Sequence, residues 1–156
     1  MSLIPGTLVL VRRAGILLRG PAGSGKSDTA LALIHAGHRL VADDAVDVRR
    51  QGDELIGRAP AAGRGRLCLR GPGLVDVARC FGADALAPSA PLNRIVDLVD
   101  EPLPATIEAH WQPTLIHGVH CPRMAISPGR PLLPLLEIIA EACRATPAAR
   151  ESVACG

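Results

Sequence analysis

The chain has 156 residues, a formal net charge of +2, 48% apolar and 21% charged residues, which is one domain's worth of sequence with enough apolar surface for a core. Trp111 and Phe81 are its only aromatic side chains, so the core must be aliphatic, and recognition through stacked aromatic platforms is excluded. The basic residues are scattered, only Arg12-Arg13 and Arg49-Arg50 being adjacent, so there is no basic stripe of the kind that neutralises nucleic-acid phosphates.

In chain order, Leu8 to Val11 and Ile16 to Leu18 read as short apolar strands, with a turn from Arg12, Arg13 and Gly15. The run Gly20-Pro21-Ala22-Gly23-Ser24-Gly25 is too rich in glycine and proline for regular structure. From Lys26 to Ala36 the apolar positions Ala30, Leu31, Leu33 and Ile34 fall at helical spacing, and Gly37 ends the helix. Leu40 to Ala42 is a short strand running into Asp43-Asp44, and Ala45 to Arg49 alternates as an edge strand. Gln51 to Glu54 reads as a hairpin turn, residues 57–66 as a loop, Leu67 to Leu69 as a strand and residues 82–91 as irregular. Asn93 to Val99 and Leu115-Ile116 are strand candidates, and Leu132 to Cys143 has the pattern of a last helix. The expected organisation is one domain over residues 1–146 and a frayed tail over 147–156.

Five cysteines, at 68, 80, 121, 143 and 155, are an odd number with no Cys-x-x-Cys pair, which argues against a disulfide framework or structural zinc and for reduced thiols in a cytoplasmic protein. Arg12 and Arg13 interrupt the first apolar run, so no signal peptide is expected, and no apolar stretch is long enough to span a membrane. His117-x-x-His120-Cys121 lacks a fourth metal ligand and reads as local packing.

Gly20, Gly25, Lys26 and Ser27 satisfy G-x-x-x-x-G-K-[ST], the phosphate-binding P-loop. The glycines let successive backbone N–H groups turn inward around an anion, and the helix that follows points its positive end at the same place. The candidate nucleotide-binding residues are therefore Gly20, Pro21, Ala22, Gly23, Ser24, Gly25, Lys26 and Ser27, with Ser27 as a Mg²⁺ ligand. Of the 17 basic residues, 16 are Arg, and the one Lys stands where this motif requires it. Such a site needs carboxylates, and Asp43-Asp44 at a strand end are the leading candidates: Asp44 as metal ligand, and either acid as acceptor of a hydroxyl proton. Asp97, Asp100 and Glu101 form a rival cluster. A guanine-specific N-K-x-D motif is impossible with one lysine, and the glycine order is not that of dinucleotide-binding folds.

From Gly15 to Val46 the chain reads GILLRGPAGSGKSDTALALIHAGHRLVADDAV, which closely resembles the HPr kinase/phosphorylase family in its P-loop, its Ala/Leu helix and its Gly-His-Arg-Leu-Val-Ala-Asp-Asp segment. Weaker echoes are Leu69-Arg70-Gly71-Pro72-Gly73 and Pro128-Gly129-Arg130. The resemblance implies an α/β P-loop domain with a mixed sheet, similar to the phosphoenolpyruvate carboxykinase type. It implies the catalytic domain without the family's N-terminal domain, using ATP and Mg²⁺. The implied substrate is a seryl residue of an HPr-type phosphocarrier protein of the sugar phosphotransferase system. Catalytic roles then fall to Lys26, Asp43, Asp44, Arg70 and Arg130, and a homohexamer is implied, with neither nucleic acid nor membrane as partner. The chain departs from the family at Pro5, where a His is usual, at Cys68, where a metal-binding Glu is usual, at residues 101–103, which lack an expected Arg, and at Pro131, where an Asn is usual. A nucleotide-binding regulator with little turnover, and a small-molecule kinase, are the alternatives.

Overall fold

The computed structural model describes residues 2–105, 107–127 and 129–145. A six-stranded mixed sheet carries the fold: β2 (Thr7–Val11), β3 (Ala14–Arg19), β4 (Arg39–Ala42), β10 (Arg94–Leu98), β11 (Gln112–Ile116) and β12 (Val119–Ile126), in the order β11-β12-β10-β3-β2-β4. An antiparallel four-stranded sheet, β1 (Leu3–Pro5), β5 (Ala45–Gln51), β6 (Glu54–Arg58) and β9 (Ala90–Pro91), ordered β1-β5-β6-β9, packs on one face. The helices α1 (Lys26–His35) and α3 (Leu132–Ala145) cover the other face. A small hairpin, β7 (Arg66–Leu69) with β8 (Gly73–Asp76), leads into the short helix α2 (Val77–Phe81).

Two-residue alternation explains why the central strands read as unbroken apolar runs. Val9, Val11, Ile16, Leu18 and Val96 are buried with Ala30, Leu33 and Ile34 of α1 and Leu136 and Ala140 of α3. Their neighbours Leu8, Leu17 and Ile95 are buried with Val46, Val48 and Leu55 of the second sheet. Helix α1 stops where expected: Gly37 is left-handed at φ +100°, its N–H bonds Ile34 O, and the His38 N–H bonds Leu33 O, closing the last turn with a Schellman motif.

Three expectations are corrected. Gly15 is not in the Arg12-Arg13 turn but inside β3, where a Cβ would stand 1.7 Å from Pro91 O; the crossing of the second sheet leaves no room for a side chain. The segment from Ala45 is no edge strand, because Asp43-Asp44 turn the chain into the second sheet, where β5 lies between β1 and β6. Residues 57 and 58 belong to β6 rather than to a loop, Gly57 passing so close that a Cβ would meet Leu8 Cδ2 at 2.5 Å. The tail over 147–156 and Cys155 lie outside the described residues.

Candidate functional site: a phosphate cradle at one sheet edge

Sheet direction gathers the motif. Strand β2 is antiparallel to both β3 and β4, so β3 and β4 run the same way, and β10 is parallel to β3. The start of β2 and the ends of β3, β4 and β10 therefore share one edge, which brings Thr7, Gly20, Asp43 and Leu98 to the same place. Ligand crevices of α/β sheets form at such edges.

The loop from Gly20 to Gly25 has the backbone of an anion cradle. Gly20, Gly23 and Gly25 have φ of +153°, +84° and +96°, values that L side chains rarely adopt. A Cβ on Gly20 would meet Ser24 Oγ at 2.6 Å and Leu98 O at 2.8 Å. Gly25 caps α1 with no side-chain bond to the helix's first N–H groups, which leaves those donors for an anion. Ser24 Oγ is buried without a protein partner. The Lys26 Nζ donates to Gly20 O at 2.6 Å and Pro21 O at 3.1 Å; a phosphate oxygen would offer this ammonium a stronger, charge-assisted bond. These features fit a polyphosphate.

Asp43 is the hub on the opposite wall. Its carboxylate accepts from Thr7 Oγ1 at 2.8 Å, from Ser27 Oγ at 3.1 and 3.2 Å, and from the Cys68 N–H at 3.1 Å. The acid that meets the P-loop serine is thus Asp43, whereas Asp44 is exposed, left-handed at φ +72° and makes no bond to Ser27. A non-glycine residue held there is a mark of functional turns. The Arg70 guanidinium lies over the loop, since a Cβ on Gly23 would meet Arg70 Nη2 at 2.6 Å. Arg130 is exposed and touches none of the cradle among the described residues; Pro128 of the same segment lies outside them.

The rival acid Asp97 has another occupation. It accepts two bonds from Arg19, at 2.7 and 2.9 Å, and another from Arg123. Burial opposes its charge, but the two guanidiniums outweigh burial and hold its carboxyl below the usual range. The same bonds raise the Arg19 guanidinium further above its ordinary value. Because Arg19 precedes Gly20, this cluster anchors the loop's entry rather than a cation. His117 and Gly118 form the β11–β12 turn, and no cluster of metal-ligating side chains occurs among the described residues. Thr7 and the Cys68 N–H escape sequence reasoning, since a threonine opening a strand and a backbone amide carry no motif.

Strand, glycine loop, helix and acid-bearing strand at one edge define a P-loop phosphate-binding domain. Residues 2–154 match the family model of the HPr serine kinase C-terminal domain, and the chain belongs to that family. It is 37% identical over 143 residues to the HPr kinase/phosphorylase of Geobacillus thermodenitrificans, covering 88% of this chain and 46% of that protein. It is 46% identical over 99 residues to that of Exiguobacterium sp., covering 63% and 32%. The chain thus spans less than half the length of these curated relatives. The structure of the Hpr(Ser) kinase/phosphatase from Coxiella burnetii superposes with a TM-score of 0.86 at 30% identity, over 97% of this chain and 96% of that one. No helix among the described residues is long and apolar enough to cross a membrane.

Proposed function

We propose that this chain is an ATP-dependent protein-serine kinase/phosphorylase domain acting on an HPr-type phosphocarrier, as the names of its relatives suggest. The observation that carries the reading is the junction of Ser27 with Asp43 across the mouth of the glycine cradle. Backbone N–H groups of residues 20–27 hold the phosphates, Lys26 and Arg70 neutralise their charge, and Ser27 with Asp43 are the residues that would hold Mg²⁺. That ion, when bound, supplies charge neutralisation between the outer phosphates.

The structure favours a division of labour between the two acids. Asp43 accepts from three donors, one of them the Ser27 hydroxyl, which supports giving the metal role to Asp43 in place of Asp44. Asp44 is left to accept the proton of the incoming seryl hydroxyl. The seryl oxygen–phosphorus bond forms, the bond to the bridging oxygen of the departing diphosphate breaks, and the hydroxyl proton moves to the carboxylate. Arg130, exposed on the segment before α3, is assigned to the acceptor protein's side. The free thiols of Cys68, Cys80 and Cys121 support a reducing, cytoplasmic setting. A homo-oligomer, a hexamer by family resemblance, is read directly by light scattering.

The test is incubation with γ-labelled ATP, Mg²⁺ and purified HPr-type carriers. Label on a carrier serine, abolished by Lys26→Ala, is the expected result. Nucleotide binding with no transfer to any carrier would instead favour the regulator reading, to which Cys68 points by meeting Asp43 through its backbone N–H and bringing no carboxylate there.

A further inference from the structure

A cavity of about 250 Å³ lies away from the P-loop, at the start of β10. Arg94, which lines it, pairs in register with Ile16, three residues before Arg19; at a strand rise of about 3.3 Å that is about 10 Å from the entry of the glycine loop. The cavity wall includes Leu55, Leu92, Trp111 and Val119, with Asp53 and Glu54 also lining it.

Arg94 is the unusual group. It is 2% exposed, and its Nη1 donates to Asn93 O at 2.7 Å. Its Nε and Nη2 are buried with no hydrogen-bond partner, and the Trp111 ring covers it with the centroid 5.3 Å from Cζ. Buried guanidinium donors without partners are costly, and native structures supply them with an anion or water. The two orphaned atoms are the parallel N–H edge of the fork, the edge that takes both oxygens of a carboxylate.

We propose that this cavity is a second ligand site, taking a small molecule with one carboxylate on an apolar body. The carboxylate meets the Nε and Nη2 edge of Arg94, and the body packs among Trp111, Leu55 and Val119. The apolar wall of Leu55, Leu92, Trp111 and Val119 suits a singly charged carboxylate on an apolar body better than a doubly charged phosphate, which decides between the two anions. Nε and Nη2 are buried, so a ligand reaching that edge must displace a covering side chain, and the Trp111 ring, 5.3 Å from Cζ, senses the change. Trp111 is the chain's one Trp, so its emission reports the event without a label.

The experiment titrates benzoate into the full chain while following Trp111 emission and, in parallel, the ¹⁵N–¹H signal of Arg94 Nε. The expected result is a saturable change in both, with a dissociation constant of about 1 mM or below. It should be weakened about tenfold or more by Arg94→Lys, which keeps the charge but removes the fork, and to the same degree when neutral benzamide replaces benzoate. Saturating Mg·ATP should leave it in place. Failure of both signals to respond to about 50 mM benzoate, well above that range, would overturn the proposal. So would equal affinity in Arg94→Lys, tighter binding of inorganic phosphate than of benzoate, or displacement by Mg·ATP. The NMR signal of the unmodified chain keeps the test valid even if the variant folds poorly.

Discussion

Replacing each acid of the Asp43-Asp44 pair by its amide separates structure from chemistry. In Asp43→Asn one carboxylate oxygen becomes an NH₂. Thr7 and Ser27 hydroxyls can rotate to accept from it, but the Cys68 N–H, 3.1 Å from Oδ2, can only donate. The best arrangement turns the remaining oxygen to Cys68 and the amide to Thr7, which keeps the contacts but loses their charge assistance. That should cost about 1–2 kcal/mol, which in a domain of this size lowers Tm by about 2–8 °C. Transfer should fall about 100-fold or more, the scale for losing one group that stabilises transferring charge. Asp44→Asn should lower transfer without the loss of stability. The side chain is exposed and its φ of +72° is one that Asn adopts readily, so stability should stay within about 0.5 kcal/mol. Transfer should still drop by about 10²–10⁴ through loss of the proton acceptor. Thermal melts of both variants, paired with carrier-labelling rates, decide the matter. An Asp43→Asn protein that melts with the parent, or an Asp44→Asn protein that melts below it, would refute the division of labour.

Three further outcomes follow from the packing and the electrostatics. Gly15→Ala places a methyl 1.7 Å from Pro91 O, a backbone atom that cannot swing aside, so urea unfolding should show a loss of about 3 kcal/mol or more; a loss below about 1 kcal/mol would mean that the two sheets part easily there. Asp97, held below the usual carboxyl range by Arg19 and Arg123, stabilises the fold above the unfolded carboxyl value near 3.9, and that contribution drains away as pH falls through the lower folded value. Asp97→Asn should accordingly be less stable at pH 7 and show a shallower acid dependence of its urea midpoint, and equal acid slopes would contradict the ion-pair account. Burial pushes the Cys121 thiol up to about 12, so a disulfide reagent at pH 8 should modify exposed Cys68 and Cys80 in the native protein and reach Cys121 only after unfolding; prompt labelling of Cys121, read by mass spectrometry, would show that site to be open.

The P-loop and its flanking elements were legible because their signals are local. A glycine run, one lysine, a 3.6-residue apolar period and a terminal glycine each act within a few residues. The rest depends on partners distant in sequence. Which acid of Asp43-Asp44 meets Ser27 is decided by the turn into the second sheet, with Thr7 and the Cys68 amide supplying the other donors. Strand β12 is the longest of the sheet, yet its Pro122 and polar His120 and Arg123 mask the alternation; pairing with β10 and β11 makes it a strand. Gly15 and Gly57 read as turn and loop residues from composition, but both sit in strands because another chain segment passes where a side chain would stand. The Asp97 cluster had the sequence of a metal site, and only the approach of Arg19 and Arg123 shows it to be an anchor.

The central claim is that residues 20–27 wrap a nucleotide's phosphates, and calorimetric titration with ATP and Mg²⁺ tests it most directly. Saturable uptake by the parent chain, weakened about tenfold or more in Lys26→Ala, is the predicted result. A flat titration of the parent with every nucleoside triphosphate tried would contradict the account.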